Sequence, residues 1–119
     1  MSEFKGTPGP WGFYKESSGD NGIDCVGAVD PKDGLEFEVC EVWGIDHDKT
    51  ICEVSRANAR LIAASPELLE ALRIARDYVF AELQQRKRAF AGHPQKWATE
   101  EADLASIDAA IAKALGDQQ

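Results

Sequence analysis

No apolar run in the sequence approaches the roughly 18 residues that a membrane-spanning helix needs, and Met1-Ser2-Glu3-Phe4-Lys5-Gly6 lacks the basic and apolar regions of a secretory signal. Neither membrane insertion nor export is expected. Neither GxGxxG nor GxxxxGK[ST] occurs, so the glycine-rich backbone cradle that holds a nucleotide's phosphates is missing. The two histidines, His47 in an acidic stretch and His93 in a Gly-His-Pro break, have no spacing to a serine or cysteine that suggests a catalytic triad. Cys25, Cys40 and Cys52 are odd in number and form no CxxC, a pattern of small buried apolar residues rather than of a disulfide framework.

Positive charge is also scarce, and unevenly so. Residues 1–53 contain four Lys/Arg against twelve Asp/Glu, whereas residues 54–119 contain nine of each, so the whole net charge of −8 belongs to the first half. An acidic surface repels phosphate backbones and attracts basic ones. Direct nucleic-acid binding is therefore disfavoured, and a partner with a basic surface is favoured.

What is present fits one domain, 1–119: the length is that of a single core, and 44% hydrophobic with 29% charged residues is a globular composition. The patterning predicts an α+β fold, with an antiparallel sheet of three to four strands in about residues 10–54 and helices in about 55–116. After Thr7-Pro8-Gly9-Pro10, Trp11-Gly12-Phe13-Tyr14 reads as a short strand with Trp11 and Phe13 on one face. Turn residues fill Ser17–Gly22, and Ile23–Val29 follows as a second strand with Ile23, Cys25 and Val29 of one parity. A turn at Asp30-Pro31-Lys32-Asp33-Gly34 leads into the clearest strand, Leu35–Trp43. There Leu35, Phe37, Val39 and Trp43 alternate with Glu36 and Glu38, while Glu41 interrupts the apolar face and is expected at a strand edge in reach of solvent. Ile45–Lys49 reads as a loop and Thr50–Val54 as a fourth, short strand.

The period then changes. Ser55 is expected to cap a short helix through Ala64, and Ser65-Pro66-Glu67 starts the next with a cap, a first-turn proline and an acid. Leu68, Leu72, Ala75, Val79 and Leu83 give that helix an apolar stripe, with Arg73, Arg76 and Arg86-Lys87-Arg88 mostly off it. Gly92-His93-Pro94 ends it. Thr99-Glu100-Glu101 opens a last helix carrying Leu104, Ile107, Ile111 and Leu115 before Gly116, and the last two helices should form a hairpin. Its alanines at 105, 109, 110, 112 and 114 keep it slim enough to lie close to a neighbour, in the same chain or in a second copy.

Asp46-His47-Asp48, with Cys40 and Cys52 nearby, offers ligand types a divalent ion accepts, but the spacing matches no metal motif. No metal, cofactor or catalytic residue is therefore expected. Core packing suits Trp11 and Trp43, and Trp97, in a polar connection, suits an exposed interface anchor. The residues nominated to bind a partner are Glu36, Glu38, Glu41, Asp46, Asp48 and Trp97.

Thr7-Pro8-Gly9-Pro10-Trp11 together with Ala57-Asn58-Ala59-Arg60-Leu61-Ile62-Ala63-Ala64-Ser65-Pro66-Glu67-Leu68-Leu69-Glu70-Ala71-Leu72 resembles small accessory proteins of bacteriophages and prophages. The resemblance covers about a fifth of the chain. It implies the host bacterial cytoplasm as the setting, and it carries no activity and no site residues. In that setting the sequence points to a non-enzymatic inhibitor of a bacterial defence complex, anti-CRISPR-like, that binds a host protein or ribonucleoprotein with a basic surface. A second copy of the chain is a further candidate partner. The alternative is an oligomeric sponge for a nucleotide signal, using Arg73 or Arg76 on phosphate. A metal-dependent enzyme built on Asp46-His47-Asp48 ranks last.

Overall fold

A computed structural model describes residues 3–15, 23–30, 32–43 and 49–117, side chains being described over somewhat fewer. The elements run β1 (Trp11–Lys15), β2 (Ile23–Val29), β3 (Glu36–Trp43), α1 (Lys49–Ala63), α2 (Ser65–Ala89), a 3-10 turn (Pro94–Lys96) and α3 (Ala98–Leu115). This is the α+β order expected, with a three-stranded antiparallel sheet followed by three helices. The residues gather into two compact units, one of Gly6–Leu68 and one of the part from Leu69 onward together with the residues before Gly6.

The first unit is the sheet, in the order β1-β2-β3, covered by α1. Its turn into β3 is set by local chemistry. The Asp30 and Asp33 carboxylates accept from the backbone N–H of Lys32 and Leu35, and Gly34 takes a φ of 73°, which other residues rarely adopt. Val26 and Ala59 are wholly buried and Ala63 nearly so, with Trp11, Val39, Cys40, Val42 and Ile62 packed around them. The small side chains at 59 and 63 let α1 lie close to the sheet.

Two expectations are corrected in this unit. Thr50–Val54 is the first part of α1 rather than a strand. Thr, Ile and Val favour strands locally, but position 55 and then 59, 62 and 63 form the buried edge of one helix, and that tertiary packing outweighs propensity. Ser55 accordingly caps nothing: it lies inside α1 and is buried. In β2, Cys25 and Val29 share a face as expected, but burial does not follow that face alone: Cys25, Val26 and Ala28 are buried while Val29 is 52% exposed.

β3 contains a bulge that simple alternation does not reveal. Gly27 pairs with Glu38 and Val26 with Cys40, which leaves Val39 without a partner in β2. The extra residue reverses the parity of everything after it. Cys40 and Val42 therefore join Val39 on the core, and Glu41 pairs with Cys25 on the opposite face. Deleting Val39 would restore unbroken alternation with Cys40 and Val42 still inward. The deletion variant is expected to keep its fold, with a melting temperature only about 5 °C lower. Loss of the cooperative thermal transition would show that the bulge itself is needed.

In the second unit α2 and α3 run antiparallel. Asp108 accepts from Arg76 Nε at 2.9 Å, Glu100 lies 3.3 Å from Arg86 Nε, and Glu101 lies 3.4 Å from Lys87 Nζ. Proline and glycine mark the boundaries as expected: Pro66 stands in the first turn of α2, Gly92 (φ 85°) follows its end, and Gly116 (φ 77°) closes α3 with its N–H on Ala112 and Lys113 carbonyls. Ser65 departs from its expected capping role, because its hydroxyl donates back to the Leu61 carbonyl at 3.1 Å. Leu83 and Ile111 are the buried centre, with Leu104, Ile107 and Leu115 half-buried.

The packed stripe of α2 also differs from expectation. Leu68 and Ala75 are exposed, whereas Leu69, Leu72, Arg76, Val79 and Leu83 are half-buried or buried. Arg76 lies on this stripe rather than off it, because Asp108 and the Phe80 ring, 5.0 Å away, satisfy its guanidinium there. Arg73, Arg86 and Lys87 are half-buried too.

Candidate functional site

Glu36, Glu38 and Glu41 stand opposite Val29, Gly27 and Cys25 in β2. Those three positions alternate regularly along β2, so the three carboxylates share the sheet face away from α1. Were Val39 paired in regular alternation instead of bulged, with no residue removed, Glu41 would point into the core. All three glutamates are exposed, and among the described residues no ion pair engages any of them. Four acids of the helical unit behave differently: Glu82, Glu100, Glu101 and Asp108 each meet an arginine or lysine within 4 Å, although Glu70 and Asp103 do not among the described residues.

The same face has a hollow. Gly12 pairs with Gly27, and Gly27 with Glu38, so one row across the sheet has two positions without side chains beside a carboxylate. Pro10, Val29 and Glu36 help to bound the resulting groove of about 410 Å³. A β-carbon added at Gly12 would meet nothing within 4 Å, so the hollow is open above it. The arrangement is suited to receiving an extended or knob-like cationic group, with its apolar part on the glycines and its charge on Glu36 and Glu38.

Cys40 faces the other way. Burial, and then the Glu38 carboxylate, raise its thiol above the ordinary value, so at neutral pH it stays protonated and is a poor nucleophile and a poor thiolate ligand. Asp46, His47 and Asp48 lie outside the described residues, as does the side chain of Cys52. Among the described residues no cluster of His, Cys, Asp and Glu could hold a metal ion, and no helix is long and apolar enough to cross a membrane. Trp97 belongs to the helical unit, where it is half-buried at the N-cap of α3 and its backbone N–H donates to the Pro94 carbonyl. Of the nominated residues, then, Glu36, Glu38 and Glu41 are brought together. Sequence reading missed Gly12 and Gly27, whose meaning appears only when the strands are paired.

The segments Thr7–Trp11 and Ala57–Leu72 meet in this fold. Gly9 lies so close to Pro66 that a β-carbon at position 9 would be 2.7 Å from Pro66 Cβ, and the Trp11 indole N–H donates to the Thr7 carbonyl at 3.2 Å. Compared with known proteins, residues 1–118 match the model of a family described as Salmonella phage P22 protein Y8K6. No curated protein and no solved structure matches the chain.

Proposed function

Since the chain belongs to the family of Salmonella phage P22 protein Y8K6, we propose that it is a phage-encoded, non-catalytic binding protein that docks the acidic outer face of its sheet onto a basic surface of a host complex. The partner class we propose is a bacterial defence complex, whose nucleic-acid channel is basic, and the action is inhibition by occupying that channel, in the host cytoplasm. One observation carries this reading: Glu36, Glu38 and Glu41 are gathered on one face with no ion-pair partner among the described residues, while Glu82, Glu100, Glu101 and Asp108 of the helical unit each meet a cation. Desolvated charge pairs across such an interface contribute to affinity, and exposed ones to association rate and partner choice. The phosphate-binding alternative loses Arg76, which is held by Asp108 with its proton bound more firmly than usual, first through that hydrogen bond.

Affinity capture of the tagged full chain from bacterial lysate tests the proposal. Capture of a host complex at low salt, lost at raised salt, is the expected result. Glu36→Lys/Glu38→Lys/Glu41→Lys should cut recovery at least about tenfold, and Gly12→Leu, whose β-carbon meets nothing within 4 Å and whose side chain would occupy the groove, should also weaken it. Equal recovery by the charge-reversed variant would remove this reading.

A further inference from the structure

The outward face of α2 has a pattern of its own. Glu67, Ala71, Ile74, Tyr78, Ala81 and Arg88 recur at steps of three and four, with Gln85 between the last two, and every one is exposed. At its middle Ile74 is 53% and Tyr78 75% exposed, so a long helix turns its largest apolar groups on this side to water. The opposite side of the same helix is already packed against α3. What remains is a second seam with the spacing of helix-to-helix packing, about 32 Å long at 1.5 Å per residue.

We propose that this seam joins two copies of the chain, α2 lying antiparallel to α2 of the second copy about a two-fold axis beside Tyr78. An isologous contact requires a surface to complement itself, and this one does. Placed on that axis, the two Tyr78 rings meet each other. Ile74 faces the small Ala81 of the second copy, and Glu67 at one end faces Arg88 at the other, each pair lying equally far on either side of the axis. Neither Glu67 nor Arg88 has an ion-pair partner among the described residues, so both are available. Asp77 is the one like charge brought near its own copy, and Arg76, 3.8 Å away, offsets it. Charge at larger scale agrees. Residues 54–119 carry nine cations and nine anions, so helices can approach helices without the repulsion that two copies of the acidic first half would meet. A parallel arrangement would set Glu67 and Glu70 against their own copies and Arg88 against Arg88, and is disfavoured. The inference is independent of what the acidic sheet face binds.

Sedimentation velocity of the full chain across a dilution series, with helix content checked by circular dichroism, tests it. The wild-type chain is expected to shift from dimer to monomer on dilution. Tyr78→Glu, at a site too exposed to threaten folding, should weaken association at least about tenfold. Arg88→Glu should weaken it as well, and Glu67→Arg/Arg88→Glu should bring it back to within about threefold of wild type. A chain that is monomeric at every concentration, a dimer indifferent to Tyr78→Glu, or a double exchange no better than Arg88→Glu alone would each overturn the proposal.

Discussion

Ile111→Ala is expected to destabilise the chain by about 2–5 kcal/mol, the range for emptying a closed apolar site. Ile111 is wholly buried, and among the described residues it is one of the two largest side chains enclosed in this way and shares the buried apolar centre of the helical unit with Leu83 alone. Removing a side chain from so small a core forfeits its transfer free energy, and the flanking helix backbones cannot collapse fully into the space. Urea denaturation followed by far-ultraviolet circular dichroism measures the loss. Ile111→Val, which removes one methylene group, should cost only about 0.5–1.5 kcal/mol. An Ile111→Ala variant as stable as wild type would mean that the α2–α3 packing described above is wrong.

Gly9→Ala should cost about 1–3 kcal/mol for the opposite reason, too much volume rather than too little. The new methyl would lie 2.7 Å from Pro66 Cβ and 3.3 Å from Pro66 Cγ. Both are ring atoms, so no rotamer change relieves the clash, and either the N-terminal segment or the start of α2 must move. That movement would carry Trp11, whose indole is tied to Thr7 and which packs on the Val26 core. Differential scanning calorimetry should show a melting temperature lower by several degrees, whereas Gly12→Ala, with open space at its β-carbon, should change it little. Equal effects at positions 9 and 12 would contradict the close approach of Gly9 to Pro66.

Much of the fold was legible in the sequence because proline and glycine act locally. Pro66, Gly92 and Gly116 mark helix boundaries wherever the rest of the chain lies, and Asp30, Asp33 and Gly34 build their turn from their own side chains and dihedrals. What escaped depends on partners distant in sequence. Thr50–Val54 looks like a strand until α1 is seen to need a buried edge continuing from position 55 to 63. Arg76 reads as a solvated cation until Asp108, thirty-two residues on, is placed beside it. The site was half legible. Glu36, Glu38 and Glu41 were recognisable as acids on an amphipathic strand, yet alternation alone sent Glu41 to the wrong face, and the bulge at Val39 is visible only in the pairing with β2.

A charge-matched comparison tests most directly whether that face, rather than acidity in general, makes the contact. The tagged wild-type chain, Glu36→Lys/Glu38→Lys/Glu41→Lys and Glu53→Lys/Glu70→Lys/Asp103→Lys would each be used for capture from the same lysate at low salt. The last three positions are also exposed, and both variants change net charge by the same amount. Capture kept by the second variant and lost by the first is the predicted result. Equal loss by both would reduce the interaction to net charge, and capture kept by the first would contradict the role assigned to the sheet face.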